Sequence, residues 1–411
     1  MRKKGAFSEI LRVKKILENR ILRCSFREYE GVVSMRGFVD EPLNYASSGV
    51  DIDLEGKAVA SLIGSLSPSS RVSGELGAPV HLPGGFGGVI EFGESCLALA
   101  TDGVGSKLQI ATELGQLSGV GLDCVAMNVN DLICVGAEPL AFVDYIAVPE
   151  ANPKVHSELG VSLSRACEIA RVTLAGGETA TLPGIVNDLD LSGTALGWFP
   201  KGSWITGKDL EEGDVLIGLP SSGIHSNGYT LVRAVIERSG CSLVEECPFD
   251  SRHAARAIEM FSEEDREPTL GEVLLNPTRI YVDPVVDLVI DSRRGGGVCS
   301  TKSIKAIAHI TGGGLSNLLR LNESLGWHIG DPLEPQPEFE WISEVGSVGA
   351  REMYRTFNMG MGMLVAVSSD SADSISRWLN ERLPGSRVVG EVTSKGRVVT
   401  HSDPDVCFSE Y

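Results

Sequence analysis

Three aspartates and one lysine are the first residues of this sequence with obvious chemistry. Asp102 closes the run CLALATDG, Lys107 follows in TDGVGSK, and Asp123 and Asp131 lie in GLDCVAMNVNDLICVGA. The glycines and lysine of TDGVGSK suggest a phosphate loop. A Walker loop, however, needs Gly, four residues, then Gly-Lys-Ser/Thr, so that successive amides wrap the phosphates and the lysine reaches them. That spacing is absent here, and PGGFGGVIEFG lacks the strict Gly-x-Gly-x-x-Gly dinucleotide fingerprint. The acids offer another route, because Mg²⁺ is typically held by one or two carboxylates together with substrate phosphates. At ~100° per residue, Asp123 and Asn130 are nearly aligned on a helix and Asp131 lies about 80° from Asp123, so one polar face is expected. Asp123 as an N-cap, Asp102 as a turn residue and Asn128 as a solvated helix position are the structural alternatives.

Further along, LAGGETATLPG sets Glu178 after Gly176 and Gly177, where backbone can approach a ligand or simply turn at a strand end. In LPSSGIHSNGYTLVRAVIE, the small residues Ser221, Ser222 and Gly223 run into a helix expected to begin near Ser226. Free amides at such a terminus bind anions, with Ser226 and Asn227 as added donors. A plain capping motif with a satisfied His225 would look the same. IAHITGGGLSN repeats the pattern with His309 and Gly312 to Gly314. No Gly-x-Ser-x-Gly elbow and no His-Glu-x-x-His pair is present, which leaves serine-hydrolase and zinc-protease readings without support.

The elements that must position these residues alternate. CLALATDG, LAFVDYIAV, RVTLAGGET, LSGTALGWF, GDVLIGLPSSG and MGMLVAV read as short buried strands, and GLDCVAMNVNDLICVGA as a helix. The result is an α/β chain. KGSWITGKDLEEG marks a boundary by its polar, glycine-bearing composition, giving an N-terminal domain over 45–212 and a C-terminal domain over 213–411. DSRRGGGVCSTK reads as an exposed insertion. Residues 1–44 differ from the rest in being rich in Lys and Arg, with Ile10, Val13, Ile16, Leu17 and Ile21 at helical spacing. They read either as an address peptide, against which Glu9, Glu18, Glu28 and Glu30 count, or as sequence upstream of a start at Met35.

With 411 residues the chain exceeds one ordinary core, and 42% hydrophobic against 22% charged residues is a globular balance. The 36 basic and 55 acidic residues give a formal charge of −19, which disfavours nucleic acid as a partner. Phosphorylated small molecules stay compatible with that charge when a divalent cation accompanies them. Nine scattered cysteines without a Cys-x-x-Cys pair point to a reducing cytoplasm, and no apolar run approaches the ~18 residues of a membrane span.

Taken in order, YASSGVDID, GGFGG, TDGVGSK, GLDCVAMNVNDL, GAEPLAFVDY, GGETATLPG, GDVLIGLPSSGIHSNGYTLVR, NPTRIYV, AIAHITGGG and MYRTFNMGMGM resemble the phosphoribosylformylglycinamidine cyclo-ligase, or aminoimidazole ribonucleotide synthetase, family. Thiamine-monophosphate kinase, selenophosphate synthetase, formylglycinamidine ribonucleotide synthetase and a hydrogenase maturation protein share the first-domain motifs, whereas HSNGYTLVR, NPTRIYV and AHITGGG favour the cyclo-ligase. The resemblance implies a two-domain fold whose N-terminal domain pairs its sheet in a homodimer, beside a mixed α/β C-terminal domain. It implies ATP and Mg²⁺ as cofactors and ring closure of formylglycinamidine ribonucleotide. Carried over to this sequence, Asp102, Asp123 and Asp131 hold Mg-ATP. Asp51, Gly85, Gly87, Gly105, Ser106, Asn128, Asn130 and Glu178 line the nucleotide, with Glu178 reaching across the dimer. Ser221, Ser222, Gly223, Ser226, Asn227, Thr311, Gly312 and Gly313 contact phosphate. Lys107 offsets phosphate charge, and His225 or His309 moves a proton. The sequence departs from the family at Ile63, where a lysine linked with ATP is common, and at Ser106, where Thr is usual. A superfamily kinase of another substrate and a nucleotide-binding regulator without turnover are the rival readings.

Overall fold

A computed structural model describes residues 42–67, 69–82, 86–250 and 267–411. The expected basic helix, the start at Met35 and Gly85 fall outside the described residues. Two sheets carry the chain. The first is six-stranded, in the order β1-β2-β3-β6-β4-β5, with β1 Pro79–Val80, β2 Gly88–Phe92, β3 Ser95–Gly103, β4 Glu138–Val148, β5 Thr173–Thr181 and β6 Asp190–Pro200. Only β4 and β5 run parallel. The second is seven-stranded, in the order β13-β12-β9-β11-β7-β10-β8. Its members are β7 Val215–Pro220, β8 Ile304–His309, β9 Gly326–Ile329, β10 Met361–Val367, β11 Arg387–Thr393, β12 Val399–His401 and β13 Cys407–Phe408. The chain therefore passes from one sheet to the other between Pro200 and Val215.

Alternation along β6 explains how the first sheet is covered. Leu191, Ala195 and Phe199 are buried on one face, while Ser192, Thr194, Leu196 and Trp198 stay half-buried on the other. Helices α3 Val120–Cys134 and α4 Pro153–Ile169 cover the inner face. They are preceded in the chain by α1 Ile52–Gly64 and α2 Lys107–Leu114. Gly121 lets α3 and α4 touch backbone to backbone, since a Cβ there would lie 2.5 Å from Leu163 N. Among the described residues no helix covers the outer face, where Leu99, Val143 and Tyr145 are exposed. An apolar patch of this kind on a sheet is characteristic of an interaction surface.

Every residue of α3 except Asp131 is buried. A helix enclosed all round is a central element rather than a surface one. Its second flank packs on β8 and on α7 Val282–Arg294, elements of the second unit. Between α4 and α7 the chain forms α5 Tyr229–Ser239 and α6 Leu270–Leu274; later come α8 Pro337–Gly346, α9 Ala350–Thr356 and α10 Ala372–Arg382.

The segments read as buried strands are strands, but the one in RVTLAGGET, β5, is an exposed edge strand rather than a buried one. Two helix starts differ from expectation. The helix expected near Ser226 begins at Tyr229, because His225 (φ 67°) and Gly228 (φ 78°) take left-handed conformations that interrupt it. After Gly312 comes not an α-helix but a 3₁₀ turn, Gly314–Arg320, following two left-handed glycines. The DSRRGGGVCSTK stretch is exposed over Gly295–Gly297, yet its Arg293, in the last turn of α7, donates to Gly136 O (2.6 Å) and Ser203 O (2.8 Å), latching α7 onto the first unit. Residues 43–53, assigned by composition to the N-terminal domain from Tyr45 on, lie against α8 and α9: Leu43 N donates to Gly346 O and Tyr45 N to Glu352.

Candidate active site

Helix α3 presents one polar stripe to the second unit, and each member of that stripe has a partner there. Asp123 accepts from Thr278 N (2.7 Å), Thr278 Oγ1 (2.6 Å) and Ser226 Oγ (3.0 Å). Asn130 accepts from Tyr281 N (2.9 Å) and donates to Arg279 O (2.9 Å). Asp131 meets His309 Nδ1 at 2.9 Å. The alignment of Asp123 with Asn130 is thus real, and its purpose is docking of the two units.

The expected metal set is corrected by this arrangement. Asp123 is wholly buried and paired with Lys107, also wholly buried, at 2.9 Å. Lys107 spends its other two protons on Asn276 O (2.9 Å) and His225 O (3.1 Å), which satisfies an ammonium completely. Burial pushes its pKa down and Asp123 opposes that push. The Lys107 ammonium thus faces protein acceptors rather than a phosphate, and Asp123 meets it through Oδ1, while its buried Oδ2 has no partner among the described residues. Asp123 and Asp131 are also eight residues apart on one helix, roughly 12 Å along its axis. Among the described residues no group of three or more His, Cys, Asp or Glu side chains is arranged to hold a metal ion.

Asp102 is placed differently. Along β3 the inward positions Cys96, Ala98 and Ala100 are buried, and Asp102 is the next, where the sheet runs out from under α3. Solvent reaches the residue, yet the protein around it pushes its carboxyl up to about 6; Asp131 adds to the push, while the Gly103 N–H and His309 work against it. Being wet and crowded at once is what a cleft produces. In the cross-strand row, Asp102 faces Gly193 and Gly193 faces Asp144, so both acids point to the same side. Gly177 completes the row and leaves room for the acid: a Cβ there would lie 2.4 Å from Asp144 Oδ1 as it now stands. Burial raises the Asp144 pKa. Sequence reasoning missed Asp144; an acid inside the otherwise apolar LAFVDYIAV was the available signal. Glu178 lies one position on, beside Tyr145 on the outer face, and does not join these acids within one chain. Asn128 donates to Asp102 O (3.2 Å) and Cys124 O (2.8 Å), and its buried Oδ1 has no partner.

The two histidines are held in different ways. His309 stands at the end of β8, with Nδ1 on Asp131 and Nε2 at 3.4 Å from Asn130 Nδ2. Given an amide donor on one side and a carboxylate on the other, the neutral ring keeps its proton on Nδ1 and its lone pair on Nε2. His225 accepts the Ser222 N–H at Nε2 (3.1 Å), so its proton sits on a buried Nδ1 without a partner. Burial, then His309, Arg279 and Lys107, hold its pKa well below the usual histidine range. Gly362 makes room for it, since a Cβ there would meet His225 Cε1 at 2.6 Å.

The serine-rich turn is internal. Ser221 bonds Gln336 and Ser222 bonds Pro277 O, both buried, and Asn276 donates to Ser222 O. The Ser221 and Ser222 hydroxyls and the Gly223 amide are thus engaged by protein, and they shape the backbone under His225. Ser226 is taken up by Asp123 and Thr278. Asn227 instead faces Gly312, whose Cβ would lie 3.3 Å from Asn227 Oδ1, and Thr311 is half-buried beside it. Among the described residues the amides of Gly312 and Gly313 donate to no acceptor. Asp51 caps α1 by accepting from Leu54 N, and Ile63 is exposed on that helix. Gly105 (φ 70°) and Ser106 form the turn before α2, and Gly87 lies close to Leu99 O.

Comparison with known proteins adds to this geometry. Residues 84–199 match the model of the AIR synthase related protein N-terminal domain, and residues 211–403 that of its C-terminal domain. Phosphoribosylformylglycinamidine cyclo-ligase from Methanosarcina acetivorans is 43% identical over 87% of this chain and 97% of its own length. The enzyme of that name from Methanothermobacter thermautotrophicus is 41% identical over 87% and 96%. Among solved structures, ThiL complexed with AMPPCP and TMP superposes with a TM-score of 0.51 at 17% identity, covering 85% of this chain and 91% of that one. Hydrogenase maturation protein HypE in complex with ATP gives 0.51 at 15% identity, over 92% and 94%. These two share the fold.

Proposed function

The chain belongs to the phosphoribosylformylglycinamidine cyclo-ligase family, and from that membership we propose that it closes formylglycinamidine ribonucleotide to 5-aminoimidazole ribonucleotide, converting ATP to ADP and phosphate. ATP phosphorylates the formyl amide oxygen, the amidine nitrogen attacks the activated carbon, and the C–O bond to phosphate breaks. A proton leaves the attacking nitrogen. Little covalent help is needed, so positioning and charge carry the catalysis.

The observation that carries this mechanism is the Asp131–His309 pair at the junction of the two units. Asp131 holds the Nδ1 proton and leaves Nε2 as the base; the weak contact to Asn130 is one a substrate N–H can replace. His225 is the poorer candidate, because its Nε2 lone pair is already used. Gly312 and Gly313 supply free amides for a phosphate, with Asn227 beside them.

Asp102 suits a magnesium ion through its hard oxygen donors and its position in a cleft, with Asp131 and the unpartnered Asn128 Oδ1 as the further oxygens. When bound, the ion would neutralise triphosphate charge. Asp123 drops out of that set and Lys107 out of the phosphate contacts. The exposed apolar face of β3 and β4 supports pairing with a second copy, which would bring Glu178 toward the partner. A cytoplasmic location belongs to the same reading.

The test is a coupled assay with formylglycinamidine ribonucleotide, ATP and Mg²⁺, following aminoimidazole ribonucleotide and phosphate together. Equal appearance of both supports the reading. ATP binding without either product would move the function to a kinase of another substrate or to a regulator.

A further inference from the structure

Arg320 ends the 3₁₀ turn that follows the glycine loop. Its guanidinium lies 4.4 Å from the centroid of the Phe86 ring and 5.1 Å from that of Tyr411, within the range of cation–π attraction. Phe86 is buried and leads into β2 of the first unit, whereas Tyr411 follows β13 of the second. Nη1 also donates to Tyr411 Oη (3.3 Å) and to Asn317 Oδ1 (3.2 Å). Asn317 is fully buried, and its Nδ2 donates to Gly312 O (3.1 Å) and Gly314 O (2.9 Å).

The chemistry of a primary amide makes this arrangement directional. A guanidinium carries only donors, so the Asn317 atom that meets it must be the oxygen, and the amino group is left for the loop carbonyls. Reversed, the amide would set its oxygen against two carbonyls and its amino group against a cation. Arg320 therefore decides which way Asn317 points, and Asn317 holds two carbonyls of the glycine loop on its own side. The Gly312 and Gly313 amides stay unengaged by protein. Tyr411 closes the arrangement, its Cε2 lying 3.3 Å from where a Cβ on Gly313 would stand.

We propose that Arg320 is a positioning residue: stacked between Phe86 and Tyr411, it orients the Asn317 amide and so presets the Gly312–Gly313 amides to receive a phosphate group. The proposal rests on the phosphate role given to that loop above. The phosphate is either that of the ribonucleotide or that of ATP, and kinetics tells them apart.

Arg320→Lys keeps the charge but loses the planar fork and much of the stacking, and Asn317→Asp replaces the amino group by an oxygen that repels the carbonyls. Each is expected to raise the KM of one of the two phosphorylated substrates about tenfold, equivalent to ~1.4 kcal/mol of binding, with kcat within twofold and the other KM unchanged. The substrate affected identifies the source of the phosphate. The double variant should be no worse than the poorer single one, since both act through one amide. Calorimetric titration with ribose 5-phosphate and with inorganic phosphate repeats the comparison without turnover, so a failure of the cyclo-ligase reading leaves the positioning claim testable. Unchanged KM values and unchanged phosphate binding in Arg320→Lys would overturn it. So would a fall in kcat alone, or additive losses in the double variant.

Discussion

Asp123 and Asp131 sit on one helix, face one neighbouring unit and do opposite work. Asp123, near the start of α3, is sealed with Lys107 into a knot whose hydrogen bonds reach Ser226 and Thr278. Asp131, near its end, is the helix's one residue that is not buried, and it holds a histidine whose other nitrogen has only the long contact to Asn130. A carboxylate's type and spacing are therefore a weaker guide to its role than what neutralises it. A buried acid with a buried cation is scaffold, whereas a half-exposed acid with an imidazole is available for proton transfer.

The comparison breaks most visibly at the knot. Lys107→Met leaves Asp123 as a buried charge without its counter-ion and should lower unfolding stability by about 3–5 kcal/mol, read from urea melts. If stability holds while only ATP affinity falls, Lys107 is a ligand-binding residue after all. At the other end, Asp131→Asn should leave the melt nearly unchanged and lower kcat by a factor of roughly 10²–10⁴, the usual worth of an oriented general base. His309→Gln should match it in rate, whereas His225→Gln, whose Nε2 lone pair is already taken by the Ser222 N–H, should cost stability before rate. Turning to the outer sheet, Val143→Glu puts a charge on the exposed apolar face and should shift the sedimentation profile from dimer to monomer. A monomeric parent protein would contradict the pairing.

The smallest expected effect sharpens the position of Asp102. Its folded pKa of about 6 lies above the ~3.9 of an unfolded chain. The folded state therefore binds more protons between those values, and stability declines as pH rises from 4 to 6 and is level above that. Solvent access keeps the change small. Asp102→Asn should flatten the slope and still abolish the dependence of turnover on Mg²⁺. An unaltered magnesium response in that variant would remove Asp102 from the metal site.

How much of this was legible in the sequence follows from where the partners lie. Strands such as MGMLVAV and LSGTALGWF carry their burial pattern locally, and α3 is readable from GLDCVAMNVNDLICVGA alone. The shared face of Asp123 and Asn130 was readable for the same reason. What that face touches was not, because Thr278, Tyr281 and His309 stand more than a hundred residues away. Lys107 misled through its neighbours: after Gly-Val-Gly-Ser a lysine looks like a phosphate ligand, but the first turn of α2 carries it inward to Asp123. Ser221 and Ser222 misled similarly, since left-handed backbone at His225 and Gly228 moves the helix start past them. Asp144 was hidden inside an apolar strand, and only the cross-strand row with Gly193 and Gly177 sets it on the same side as Asp102, across β6.

The most direct measurement is the ring-closure assay run in parallel on the wild-type protein, Asp131→Asn and Asp123→Asn, with a urea melt of each. The account predicts that Asp131→Asn loses aminoimidazole ribonucleotide and phosphate production together while melting like the wild type, and that Asp123→Asn melts early but keeps most of its activity per folded molecule. Full activity in Asp131→Asn, or a stable but inactive Asp123→Asn, would contradict it.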